Sequence, residues 1–127
     1  MNQPRRYPEW RADSNGRWRD AFHTFGYLLM THARDEALNR MPADTSADTR
    51  EVARKAVHDA LYNVMMMLEG VVGASPGSNR ALEFALICRI RESEKPRAVV
   101  EEFELAPNGE EPACMGFHFW VDGDFRE

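Results

Sequence analysis

A chain of 127 residues with 43% hydrophobic side chains is the size of one domain, and it can bury one core without a structural metal or a disulfide framework. Its net charge of −5 is uneven: residues 1–63 carry ten Lys/Arg and nine Asp/Glu, residues 64–127 six and twelve, which argues against general nucleic-acid binding. No apolar run approaches the roughly 20 residues of a membrane-spanning helix, residues 1–6 lack the apolar stretch of a secretion signal, and Cys88 and Cys114 make no disulfide framework, so a soluble cytoplasmic protein with reduced thiols is expected.

Residues 1–16 contain Pro4, Pro8 and Ser14-Asn15-Gly16 and read as an irregular arm, which Tyr7 and Trp10 can pin to a single domain over residues 17–127. A first helix is predicted over residues 17–41, ended by Pro42. Trp18, Phe22, Phe25, Gly26, Leu29, Ala33 and Ala37 share one face of it, and Asp20, Thr24, Thr31 and Asp35 lie opposite.

Thr45 with Asp48 resembles a capping box and starts a second helix that runs to Leu68 or Glu69, with Gly70 as the stop. Ala53, Val57, Leu61, Val64, Met65 and Leu68 gather on one side, while Met66 and Met67 fall off that stripe in opposite directions. A helix apolar nearly all round is covered either by a central place in the fold or by a second protomer. A homodimer seam at Met66 and Met67 is one of the two expectations.

Beyond residue 79 the period changes to two. Leu82, Phe84, Leu86, Cys88 and Ile90 alternate with Glu83, Ala85, Ile87, Arg89 and Arg91 in a first strand. Val99, Glu101, Phe103 and Leu105 alternate with Val100, Glu102 and Glu104 in a second. A connection containing Asn108-Gly109 leads to a third, in which Met115, Phe117, Phe119 and Val121 alternate with Cys114, Gly116, His118 and Trp120. The reading is an α+β fold in the order ααβββ, a helix hairpin packed on one face of a three-stranded antiparallel meander. Phe84, Leu86, Phe103, Phe117 and Phe119 would meet the helices, and the open face would carry Glu83, Ile87, Arg89, Arg91, Val100, Glu102, Glu104, His118 and Trp120.

His23 and His32 are nine residues apart and point in opposite directions from one helix, so they share no ion. His32 with Asp35 and Glu36 lacks the further ligands a metal needs, and no metal or other cofactor is expected. His58 shares a flank of the second helix with Tyr62, Met65 and Glu69. Histidine beside tyrosine and carboxylate is suited to hold a proton or a ligand near neutral pH, although no nucleophile or oxyanion loop accompanies it. Cys88 falls with the core set and Cys114 with the open set. The glycine-rich stretch 70–77 follows a helix rather than a strand, so it is a connector and no phosphate loop, and Asp122-Gly123-Asp124 reads as a turn.

Two functional classes remain. The first is a protein that works by binding a protein partner, of the bacterial immunity or antitoxin kind, with Glu101, Glu102, Glu104, His118 and Trp120 meeting a basic partner. The second is a small-molecule binder or enzyme whose pocket holds His58, Tyr62 and Glu69, walled by Trp18 or a methionine from 65–67.

Overall fold

Asp13 caps the first helix: its carboxylate accepts the Gly16 N–H at 2.8 Å. This computed structural model describes residues 3–70, 75–106 and 112–126. Helix α1 runs over Ser14–Leu28 and continues without a break into a π-helical segment, Leu29–Asp35, and then into α2, Glu36–Asn39. The three together occupy the single helix predicted over residues 17–41, beginning three residues earlier. Thr31 Oγ1 donates to the Tyr27 carbonyl at 2.8 Å, so a hydroxyl competes with the main chain for that acceptor where the helix loosens.

Helix α3, Ala47–Leu68, is capped by Ser46, whose hydroxyl accepts the Thr49 N–H, one residue later than the Thr45–Asp48 box predicts. Thr45 instead donates its hydroxyl to the Pro42 carbonyl at 2.6 Å and shapes the loop. The helix stops as expected, with Gly70 at φ 76° just past the Glu69 C-cap.

Two strands pair antiparallel, β1 over Ile87–Arg91 and β2 over Val99–Glu104, with Ile87 opposite Glu104 and Arg89 opposite Glu102. Their alternation has the expected phase: Cys88, Ile90, Glu101 and Phe103 are half-buried, and Ile87, Arg89, Arg91, Glu102 and Glu104 are exposed. The first strand is shorter than predicted. Residues 81–86 form no regular element, and Leu82 and Phe84 are exposed rather than facing the helices.

The predicted third strand is a helix, α4, Pro112–Val121. The α+β class holds, but the sheet of the described residues has two strands, not three. In so apolar a run a period of two and a period of 3.6 are not separable from sequence. Burial decides it: Gly116, Phe117 and Trp120 form one buried face, and Met115, His118 and Phe119 are exposed. Trp120, placed by the strand reading on an open sheet face, is therefore fully buried, and Phe119, placed in the core, is exposed. The turn at Asn108-Gly109, Glu110, Glu111 and the Cys114 side chain lie outside the described residues.

Helix α4 packs against both α1 and α3, whereas α3 meets the first helix mainly along the π segment and α2. The α1–α4 contact rests on two glycines. A Cβ on Gly26 would sit 2.1 Å from the Trp120 ring, and one on Gly116 would sit 2.5 Å from the Phe22 ring. Each helix thus presents an aromatic ring to a glycine of the other at a spacing of four, Phe22 and Gly26 against Gly116 and Trp120. The contacts fall in the same order along both helices, so the two run in the same direction here. Trp120 Nε1 donates to His23 Nδ1 at 3.1 Å, both groups being buried. An indole N–H can only donate, so His23 is neutral in this arrangement with its proton on Nε2. Around this centre lie Ala21, Met30, Met65, Leu105, Ala106, Phe117 and Phe125.

Polar contacts fasten the arm and the strands. Asp20 is buried and accepts from Arg11 at both its backbone N–H (2.8 Å) and Nη2 (3.0 Å), with Arg5 at 3.5 Å. Burial pushes its carboxyl up, but the hydrogen bonds and charge of Arg11, with Arg5, outweigh burial and hold it below the ordinary value. Glu101 accepts a bidentate pair of hydrogen bonds from Arg17 Nε and Nη2 and also accepts the Tyr7 hydroxyl at 2.7 Å. Trp18 Nε1 donates to the Glu104 carbonyl at 2.7 Å, and Trp10 lies edge-on to Phe103. Tyr7 and Trp10 do pin the arm, which includes a 3-10 turn at Tyr7–Glu9.

Candidate functional site

Two clefts open on either side of Val121 and Asp122, just past the last turn of α4. The larger, about 570 Å³, lies between the π-helical segment and the residues following α4; Tyr27, Met30, Thr31, Arg34 and Phe125 line it. The smaller, about 370 Å³, lies between α3 and α4, with His58, Asp59, Tyr62, Phe117 and His118 around it. Volumes of this size suit small molecules.

The π-helical segment makes the larger cleft. It puts Met30, Thr31, Arg34 and Asp35 on the cleft wall, and π turns inside α-helices recur at functional positions because they re-aim side chains at a cost in hydrogen-bond geometry. Arg34 Nε donates to Asp35 at 2.7 Å, and its Nη1 reaches His58 Nε2 at 3.4 Å, linking the first helix to α3.

His58 is held between two guanidinium groups, with Arg34 on Nε2 and Arg54 Nη1 at 3.5 Å from Nδ1. A neutral imidazole offers one lone pair, so only one of these contacts is a hydrogen bond at a time. Burial lowers the pKa of His58, and the charges of Arg34 and Arg54 lower it further, while Asp59 and Asp35 act in the other direction. The ring is thus a neutral acceptor at pH 7. Phe117 stands edge-on to both His58 and Tyr62, at centroid distances of 6.2 and 5.5 Å, and Tyr62 also lies 5.9 Å from the His118 ring.

The structure therefore brings His58 and Tyr62 together on one cleft, as the sequence places them on one flank. Glu69 is not part of it: it lies past the end of α3, fully buried. Neither Trp18 nor Met65, Met66 or Met67 walls this cleft; the wall is Phe117 and Val121. Trp18 lines a different groove with Phe22, Met115 and Phe119. His118, assigned from sequence to the partner-binding set, belongs to the His58 cleft. Of the other members of that set, Glu101 is engaged by Arg17 and Tyr7, Glu102 pairs with Arg89 at 2.7 Å, Glu104 is exposed and Trp120 is buried. Met67 is exposed and Met66 half-buried.

Arg34, Phe117 and Asp122 were not among the sequence candidates. Arg34 could have been found from its spacing of three from Thr31 on a helix flank, but nothing local signals that His58 lies beside it. Asp122 read as a turn residue, and Phe117 as a core position of a strand. Among the described residues no group of three or more His, Cys, Asp or Glu could hold a metal ion, and no helix is long and apolar enough to cross a membrane. His32 instead sits 3.2 Å from Glu36 on an exposed helix flank. Compared with known protein families, with curated proteins and with solved structures, the chain matches none.

Proposed function

We propose that this protein binds a small molecule in the paired clefts beside Val121 and Asp122. The observation that carries the reading is the convergence of three elements on one spot: the π-helical segment supplies Arg34, α3 supplies His58 and Tyr62, and α4 supplies Phe117 and His118. A few polar groups set among aromatic and aliphatic walls is the common composition of a ligand site. This reading is preferred to capture of a basic partner by the glutamates of β2 because Glu101 and Glu102 are already matched by Arg17 and Arg89.

The test is a titration of the isotope-labelled full chain with a set of small metabolites, followed by amide and side-chain chemical shifts. Shifts clustering on Thr31, Arg34, Tyr62, His118 and Val121 support the site. Binders that shift only residues elsewhere, or a set without binders at millimolar concentration, refute it. Thr31→Trp, which fills the larger cleft from its rim, should remove the binding.

A second reading, self-association through α3, is favoured by one observation. Val52, Val64 and Met67 are 71%, 45% and 47% exposed, and with Ala56 and Ala60 they fall on one stripe of the helix. Light scattering over a dilution series decides it: a dimer that Met67→Glu converts to a monomer supports the seam, and a monomer at all concentrations removes it.

A further inference from the structure

The charges around the paired clefts do not balance, and the imbalance points to the ligand. Arg34 is matched by Asp35 at 2.7 Å and Arg54 by Glu51 at 3.0 Å, so each guanidinium already holds a carboxylate. His58, between them, adds no charge at neutral pH. Asp59 and Asp122 line the smaller cleft, and among the described residues neither side chain has an ion-pair or hydrogen-bond partner. Asp122 borders the larger cleft as well.

Beside these carboxylates stand the rings of Tyr62 and Phe117, whose π faces attract cations and are indifferent or unfavourable to anions. An anion entering here would meet the carboxylates of Asp59 and Asp122, and at Arg34 it would compete with Asp35 for the guanidinium. A cation would gain both carboxylates and the aromatic walls. The clefts adjoin at Val121 and Asp122, and the larger has an apolar floor at Met30 and Phe125, so room for an apolar body lies next to the charged end.

We propose, resting on the reading of the clefts as a ligand site, that their occupant is a small organic amine, its ammonium group between Asp59 and Asp122 against Tyr62 and Phe117 and its apolar body in the larger cleft against Met30.

Three probes of one shape and different charge test this: 2-phenylethylamine, 2-phenylethanol and phenylacetate, each titrated into the labelled full chain. The amine should bind at least about fivefold more tightly than the alcohol, with phenylacetate weakest, and should shift Tyr62, His118, Val121 and Asp122. Asp122→Asn, a change of charge at constant shape on an exposed turn, should remove the preference for the amine over the alcohol. If phenylacetate binds most tightly, or amine and alcohol bind equally at the clefts, the amine assignment is overturned while the site stands. If the amine shifts only residues of β2, it is condensing on an acidic surface and the assignment is likewise overturned. If no probe and no member of the wider metabolite set shifts the clefts, the site itself falls.

Discussion

Substituting Gly26 with alanine sets two opposed effects of known size against each other. Alanine is the better helix former by about 0.8–1 kcal/mol, and on an exposed face that would be a gain. Here its Cβ would lie 2.1 Å from Trp120 Cε2, 2.2 Å from Cδ2 and 2.4 Å from Nε1. Carbon atoms need about 3.5 Å, so the indole must retreat by more than about 1 Å. Trp120 is fully buried and has Phe22 at 4.7 Å and Phe25 at 6.0 Å, so it has nowhere to go without disturbing them. Overpacking of this kind costs about 1–3 kcal/mol. The same displacement stretches the 3.1 Å bond to His23, and a buried polar pair separated without replacement costs about 1–3 kcal/mol.

The net expectation for Gly26→Ala is a loss of about 2–4 kcal/mol, or a Tm lower by roughly 6–15 °C for a domain of this size. Urea unfolding followed by far-UV circular dichroism measures it free of local tryptophan effects. The pairing with Trp120 is checked by repeating the substitution in a Trp120→Phe background, where the smaller ring should recover at least about 1 kcal/mol of the loss. A Gly26→Ala protein as stable as the parent, or more stable by the helix-propensity increment, would refute the close approach of α1 and α4. Strict additivity with Trp120→Phe would refute the pairing.

Other expectations follow from the ion pairs and the cleft. Asp20→Asn leaves Arg11 and Arg5 facing a neutral amide and should cost about 2–3 kcal/mol in denaturant unfolding; a change under 0.5 kcal/mol would mean the pairs are solvent-screened. Asp20 and Glu101 both have carboxyl pKa values held below the ordinary range, so the folded state binds their protons less readily than the unfolded chain. Stability should therefore be intact above about pH 4–5 and fall as pH drops through the folded pKa values, with a smaller acid loss in Asp20→Asn. His58 also has a lowered pKa, which makes stability rise with pH until it levels off above about 6.5; His58→Gln should flatten the slope in the range below that. Glu101→Gln weakens the hold of Arg17 and Tyr7 on β2, and amide exchange should quicken at Tyr7–Trp10 and at Glu101 while the α1–α4 centre is unchanged.

The helix stop at Gly70 and the strand phase were legible because they are local. The Gly70 stop and the alternation of Cys88, Ile90, Glu101 and Phe103 each depend on a few neighbouring residues, whereas the starts were read only to within a few positions, three residues late at Asp13 and one residue early at Ser46. The π-helical segment was not legible, since the Thr31 hydroxyl on the Tyr27 carbonyl has its counterpart in Thr24 on the Asp20 carbonyl within regular α1. The conversion of the third strand to α4 was hidden for a different reason. Phe117, Phe119 and Trp120 satisfy either period, and the choice belongs to Phe22 and Gly26, some ninety residues away. The site inherits this asymmetry. His58 and Tyr62 are one turn apart and could be paired from spacing; Phe117 and Asp122 join them only through the packing of α4, and Arg34 only through the packing of the π-helical segment on α3.

The seating of Trp120 over Gly26 also orders events during synthesis. Trp120 leaves the ribosome 97 residues after His23, its hydrogen-bond partner. Throughout that interval Gly26 has no ring over it and Phe22 is stacked only on Trp18 of its own helix, and α3 can approach only the later turns. The nascent chain must therefore wait with its aromatic groove open, a state that favours holding by chaperones and intermolecular sticking over early independent folding. A stalled or shortened chain ending before residue 116 keeps both helices and both strands yet lacks the wedge that joins them.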